Sequence, residues 1–413
     1  MPAPPTPAAR ARTAPARSAS RVVAQAALLA VLALAGPGAP AAAAPAPSCG
    51  PVVADPLAEE PWALIRLRPD LAWPLSTGTG VTVAVVDSGV SPNHPTLAGK
   101  VRPGVDYVTP GSDGTCDENG HGTLIAGIIA GRDATSAGFR FYGVAPGATI
   151  VPVRVLRDQQ RAFGADLSAR VATAIRFAVD HAHADVINLS LTTEPTPDLA
   201  AAVAYAHDRG VALVAAAGNL GGSDAPQYPA AYPGVLAVAG VDTGDKHVTS
   251  SSTGAYVDVA APGDRISGPA PRGGGYLYTT EGGTSFAAAY VTGVVALVRA
   301  YDPALTPDQV TARIEQTADH PAGLRDNEVG YGVVDPARAV GAVAATTAPG
   351  AVAADPARGQ LPAALPAAAD PLRTTRGVAA WITAVGLLAV VVLLVAVPVV
   401  RGGRARRWRP GGT

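Results

Sequence analysis

Four polar residues stand at the ends of apolar runs in the 413-residue chain, and together they carry the groups that acyl transfer at an amide requires. Asp87 closes VTVAVVD, residues 81–87, and Asn219 closes VALVAAAGN, residues 211–219. His121 lies between two glycines in DENGHGTLIAGIIAG, residues 117–131, and Ser285 opens the helix-like end of GGTSFAAAYVTGVVAL, residues 282–297. A serine attacks an amide when a base takes its proton, a carboxylate orients that base, and donors receive the oxyanion. Each residue alone has a plainer reading. DSGV is good turn chemistry, and a lone histidine is commonly a surface or satisfied core residue. Ser285 suits a helix N-cap, although the free N–H groups of a helix start also stabilise developing negative charge. The remaining histidines, His94, His181, His183, His207, His247 and His320, have no comparable setting and are read as ordinary.

The elements that must position these groups follow from the hydrophobic pattern. An apolar fraction of 48% supports a substantial core, and Lys plus Arg (31) against Asp plus Glu (32) leaves no basic field for nucleic acid. Short apolar runs at 81–87, 149–156, 185–191, 211–219 and 235–241 alternate with helical stretches such as 165–182 and 196–210. That alternation predicts an α/β fold, a mostly parallel β-sheet flanked by helices on both faces. In such sheets functional groups collect beyond the carboxyl ends of strands. Asp87 and Asn219 are therefore expected at the same rim.

The order Asp, His, Asn, Ser is that of the subtilisin-type triad with its oxyanion asparagine. Through VAVVDSGV, HGTLIAGIIAG, AAAGN and GGTSFAAAYVTG, the chain resembles the subtilisin-like serine proteases, or subtilases, over residues 76–343. GVAPGATIVPVRVL, DVINLSL, VDVAAPG and GYGVVDPARAV add to the likeness. The resemblance implies a serine endopeptidase needing no cofactor, with Ser285 as nucleophile, His121 as base and Asp87 orienting it. Asn219 and the Ser285 N–H would bind the oxyanion, while Leu189, Ser190, Leu191, Thr192 and Gly218 would line the substrate cleft. The helix-cap reading then passes to Thr284. Thr192 and Thr193 stand where secreted digestive subtilases carry glycine, which predicts a narrower cleft and a processing role. Subtilases often hold structural calcium, but Asp113, Asp117 and Glu118 read as a solvated loop and no metal site is expected.

The two ends differ from the middle. Arg10, Arg12, Arg17 and Arg21, an apolar run and small residues predict a secretory signal peptide over 1–43. Residues 44–75 read as a permanent extension wrapped on the catalytic domain, 76–343, and 344–377 as an Ala- and Pro-rich linker. Residues 378–400 are uncharged and long enough to span a bilayer, and the basic tail 401–413 places the C-terminus in the cytoplasm. The only two cysteines, Cys49 and Cys116, would then meet an oxidising compartment and pair. Such a bridge contributes about 4 kcal/mol by loop closure. This architecture resembles the mycosins, membrane-anchored subtilases of type VII secretion systems. That likeness implies an extracytoplasmic enzyme at the cell membrane, with exported proteins as substrates and the membrane secretion complex as partner. The alternatives are a mainly structural subunit of that complex and a cell-surface subtilase unrelated to secretion.

Overall fold

Valine- and alanine-rich runs of four to seven residues build the central sheet: β1 Thr82–Asp87, β3 Thr149–Arg154, β4 Val186–Leu189, β5 Ala212–Ala216, β6 Val235–Val241 and β7 Val259–Pro262. A two-residue β2, Val105–Asp106, adds an edge. The computed structural model describes residues 49–135, 138–157, 165–280 and 282–342; the expected signal, linker, membrane span and tail lie outside them. All seven strands run parallel in the order β2-β3-β1-β4-β5-β6-β7. Consecutive residues of β4, β5, β6 and β7 are all buried. Since neighbouring side chains on a strand face opposite ways, both faces of the sheet are covered. A separate hairpin pairs β8 Ser267–Pro269 with β9 Tyr276–Tyr278, antiparallel.

The helices are α1 Trp62–Leu67, α2 His121–Ala130, α3 Ala165–Asp180, α4 Pro197–Asp208, α5 Thr284–Tyr301, α6 Pro307–Thr317 and α7 Pro336–Gly341. Helix α5 packs on β4 to β7 and on α2, whereas α3 and α4 pack on each other and against β1 and β5. Every residue of α5 from Thr284 to Val298 is buried. It is the one helix among the described residues long and apolar enough to cross a membrane, and its burial in the core accounts for that composition. Where α5 crosses the neighbouring loop, a Cβ built on Gly293 would lie 2.5 Å from Val144 Cβ, so only a glycine allows this approach.

Strand β1 lies between β3 and β4, so the chain first moves to one side of β1 and then to the other. This reversal leaves a crevice beyond the carboxyl end of β1, the usual place for a site in an open α/β sheet. Asp87 is the last residue of that strand.

The described part of the N-terminal segment lies along the domain. Cys49 is disulfide-bonded to Cys116, with 4.8 Å between their Cα atoms. Val53 exchanges backbone hydrogen bonds with Arg272 and Gly275 beside the hairpin. The Trp62 indole donates to the Asp264 carbonyl at 2.8 Å, and the Trp73 indole to the Val144 carbonyl at 3.0 Å. Arg66 pairs with Asp245 and Asp319, and Ser76 Oγ donates to the Leu297 carbonyl of α5 at 2.7 Å.

Candidate active site

Asp87 is fully buried, and its Oδ1 accepts from the Ser88 N–H at 2.7 Å and from His121 Nδ1 at 2.8 Å. His121 opens α2, where Gly120 holds a φ of 92° as the residue before the helix. A Cβ on Gly122 would sit 2.1 Å from the Gly89 carbonyl oxygen, so the strand end and the helix start touch only because that position is glycine. The His121 ring packs 5.6 Å from that of Phe286, the residue after Ser285. Burial lowers the imidazole pKa. The charge of Asp87, its hydrogen bond and the further charge of Asp117 outweigh that effect and hold it above 6.5.

Asp117 corrects the expectation of a solvated loop. It is 0% exposed, and its carboxylate receives five donors. Oδ1 accepts Ser88 Oγ at 2.9 Å and the backbone N–H groups of Gly120 and Asn119 at 2.8 and 3.3 Å. Oδ2 accepts the N–H and hydroxyl of Thr123 at 2.8 and 2.6 Å. Ser88 Oγ in turn accepts the Gly122 N–H at 3.0 Å. One serine thus connects the Asp87 end of β1, Asp117 and the first turn of α2. Glu118 is likewise engaged, pairing at 2.8 Å with Arg154, which is 1% exposed and also faces Asp106. Asp113 keeps the simpler role, bonding Thr115 in an exposed turn.

The start of α5 brings the other groups together, and it is not capped as expected. The N-cap is Gly283, with no side-chain cap, and both Thr284 and Ser285 lie inside the helix. The Thr284 N–H and hydroxyl each donate to Asn219 Oδ1 at 3.0 Å, while Thr284 Oγ1 accepts the Gly218 N–H at 3.1 Å. With its oxygen held twice, the Asn219 amide keeps Nδ2 as its free donor. The Ser285 N–H belongs to the first turn and has no acceptor in its own helix. Ser285 Oγ donates to the Ser190 carbonyl at 3.2 Å, and Ser190 Oγ donates to the Ser285 carbonyl at 3.0 Å. Asn188 secures Ser190 by a 2.9 Å bond and accepts Thr292 of α5 at 2.9 Å.

Among the expected substrate residues, Leu189, Ser190 and Leu191 are buried, and Thr192 is half-buried. The segment can therefore meet a peptide through its backbone and the Thr192 side chain. Thr193 is turned inward and donates its N–H to the Tyr228 carbonyl at 2.8 Å, so any narrowing by a side chain falls to Thr192. Gly218 has φ 106°, and a Cβ there would lie 2.7 Å from Gln227 Cγ. Sequence reading passed over Ser88 and the positioning role of Thr284, and took Asp117 for a loop residue. The available signals were a carboxylate four residues before His121 and a hydroxyl beside Ser285.

A parallel sheet with a buried carboxylate and histidine at its switch point, opposite a serine at the start of a core helix, defines a subtilisin-like protease fold. Residues 78–332 match the Subtilase family. The chain is 41% identical over 260 residues to thermitase of Thermoactinomyces vulgaris, covering 62% of this chain and 88% of that one. It is 40% identical over 312 residues to mycosin-4 of Mycobacterium tuberculosis (strain ATCC 25618 / H37Rv), covering 66% and 67%. A solved structure of a serine protease MycP1, described as an essential component of the type VII (ESX-1) secretion system, matches at 35% identity with a TM-score of 0.62. That match covers 71% of this chain and 92% of the other. The chain belongs to the subtilase family and is a serine endopeptidase. Within that family it is similar to the mycosins in both sequence and backbone.

Proposed function

We propose that the chain is an extracytoplasmic, membrane-anchored mycosin that cleaves exported proteins, with Ser285, His121 and Asp87 as its triad. Asp87 fixes His121 with its proton on Nδ1, which makes Nε2 the basic nitrogen. The Ser285 hydroxyl rotates from the Ser190 carbonyl towards Nε2, gives up its proton and bonds to the substrate carbonyl carbon. The carbonyl oxygen takes the negative charge and is received by Asn219 Nδ2 and the Ser285 N–H. His121 then passes its proton to the departing amine as the C–N bond breaks. Water then gives a proton to His121 and bonds to the acyl carbon; the ester bond to Ser285 breaks, the new carboxylic acid departs, and His121 returns the proton to the serine oxygen. The observation that carries this reading is the junction at the start of α5, where Thr284 holds Asn219 by its oxygen next to Ser285.

The role in type VII secretion is supported by the likeness to MycP1 and by the order of the predicted segments around the catalytic domain. The half-buried Thr192 supports selective processing of the substrate rather than digestion. Ser285→Ala tests both parts of the reading. It should lower kcat on a peptide substrate by at least about 10⁴-fold while leaving the thermal unfolding midpoint nearly unchanged. Loss of stability in place of activity would refute the catalytic assignment. In the native host, the same variant is compared with deletion of the whole chain. Secretion lost in both makes proteolysis essential, whereas secretion kept only by Ser285→Ala assigns the essential role to the protein as a structural subunit.

A further inference from the structure

Asn219, the residue assigned to the oxyanion, borders open space. There a cavity of about 570 Å³ opens, lined by Asn219 and Gly282 and by none of the residues from Leu189 to Thr193. Its other walls include Asp242, Asp264, His247 and Ser250. Among the described residues, no lysine or arginine lines it. Asp242 uses Oδ1 to accept the Gly244 and Lys246 N–H groups at 2.8 and 3.0 Å, and its other oxygen is unengaged. The Asp264 side chain is 24% exposed, with only Arg265 Nε nearby at 3.4 Å from Oδ2. Arg265 spends another of its nitrogens on Thr243 at 3.1 Å, so its ion pair with Asp264 is that one Nε contact. His247 Nε2 is shielded from solvent and has no hydrogen-bond partner. The cavity thus places two carboxylates beside Asn219, with His247 in its wall.

We propose that this cavity is a subsite for a lysine or arginine side chain in the substrate segment following the cut, an inference that rests on the triad assigned above. A cation entering it meets Asp242 and Asp264 across a partly dehydrated space, while an acidic side chain meets like charge. Asp264 is held in place by its own backbone, whose carbonyl receives the Trp62 indole of α1, so the N-terminal extension helps to set the wall.

The test uses the full-length protein and fluorogenic peptides with lysine, alanine or glutamate at the first, second or third residue after the cleaved bond. At one of these positions lysine should exceed glutamate in kcat/KM by about tenfold, the effect of two partly exposed ion pairs. Asp264→Asn should reduce that ratio to about threefold, and adding Asp242→Asn should bring it near unity. Asparagine keeps the Oδ1 acceptor that the 242–246 turn uses, so the ratio is read in a folded enzyme. Equal rates for lysine and glutamate at all three positions, or a ratio unchanged in the double variant, would overturn the subsite. Cleavage of no peptide at any position would instead overturn the protease reading beneath it.

Discussion

A carboxylate out of reach of water has to be held by donors, and Asp117 has five of them. Three of the five are backbone N–H groups, which can only donate and so favour the ionised form. Burial raises its pKa, and the bonds from Thr123 and Gly120 counter that rise. The resulting negative charge raises the His121 pKa together with Asp87. Since only neutral imidazole can act as base, kcat/KM should rise with pH to a plateau, with its midpoint above 6.5. Asp117→Asn removes one of the charges favouring imidazolium, so the acid limb should move to lower pH. The amide also turns an NH₂ group towards existing donors, loosening the His121 loop and lowering the plateau by about tenfold to a hundredfold. Comparing the pH profiles of the two proteins checks both effects, and an unmoved limb would confine Asp117 to a structural role. Asp87, His121, Asn219 and Ser285 stand out in sequence as candidates because each borders an apolar run. Asp117 and Thr284 were misread, since carboxylates and hydroxyls near a helix start serve equally as solvated caps and as positioning groups. Only burial separates the two, and burial is set by residues distant in the chain.

At the scale of elements, the site depends on α5 standing close to its neighbours. Gly293 faces Val144, and a methyl group there would intrude on a Cβ that cannot rotate away. Gly293→Ala should therefore cost about 1–3 kcal/mol despite the gain in helix propensity. In a domain of this size, that lowers the melting temperature by roughly 3–10 °C, measurable by calorimetry; an unchanged or higher midpoint would mean that α5 can shift without strain. The five strand runs read from sequence correspond to β1, β3, β4, β5 and β6, with ends drawn in by one to three residues at several termini. DVINLSL, for instance, pairs only through Val186–Leu189, because Ser190 turns out of the sheet to meet Ser285. Strands β2, β7, β8 and β9 went unread. They have two to four residues each, too few for a periodic pattern to stand out. Apolar content alone likewise could not distinguish α5 from a membrane helix, since a core helix covered on all sides has the same composition.

Across the whole molecule, the N-terminal segment and the catalytic domain are joined by one covalent bond and by many weak ones. The Cys49–Cys116 bridge closes a separation of 67 residues, which restricts the unfolded chain by about 4 kcal/mol in the chain-entropy model. It enters the catalytic loop directly before Asp117, so it could act on stability, on catalysis or on both. The hydrogen bonds decide between these. Asp117 is anchored by Ser88, Gly120 and Thr123, all within the catalytic domain, and none of them depends on the cysteine side chains. Beyond the bridge, Val53, Trp62, Arg66 and Trp73 each hold the segment separately. Replacing both cysteines with serine should therefore lower the melting temperature by roughly 5–15 °C. At room temperature kcat/KM should stay within about threefold of the parent, because the donors around Asp117 remain. Calorimetry and peptide cleavage on the same preparation check this pair of outcomes. A fall in activity of more than about tenfold in a still-folded variant would mean that the bridge itself positions His121.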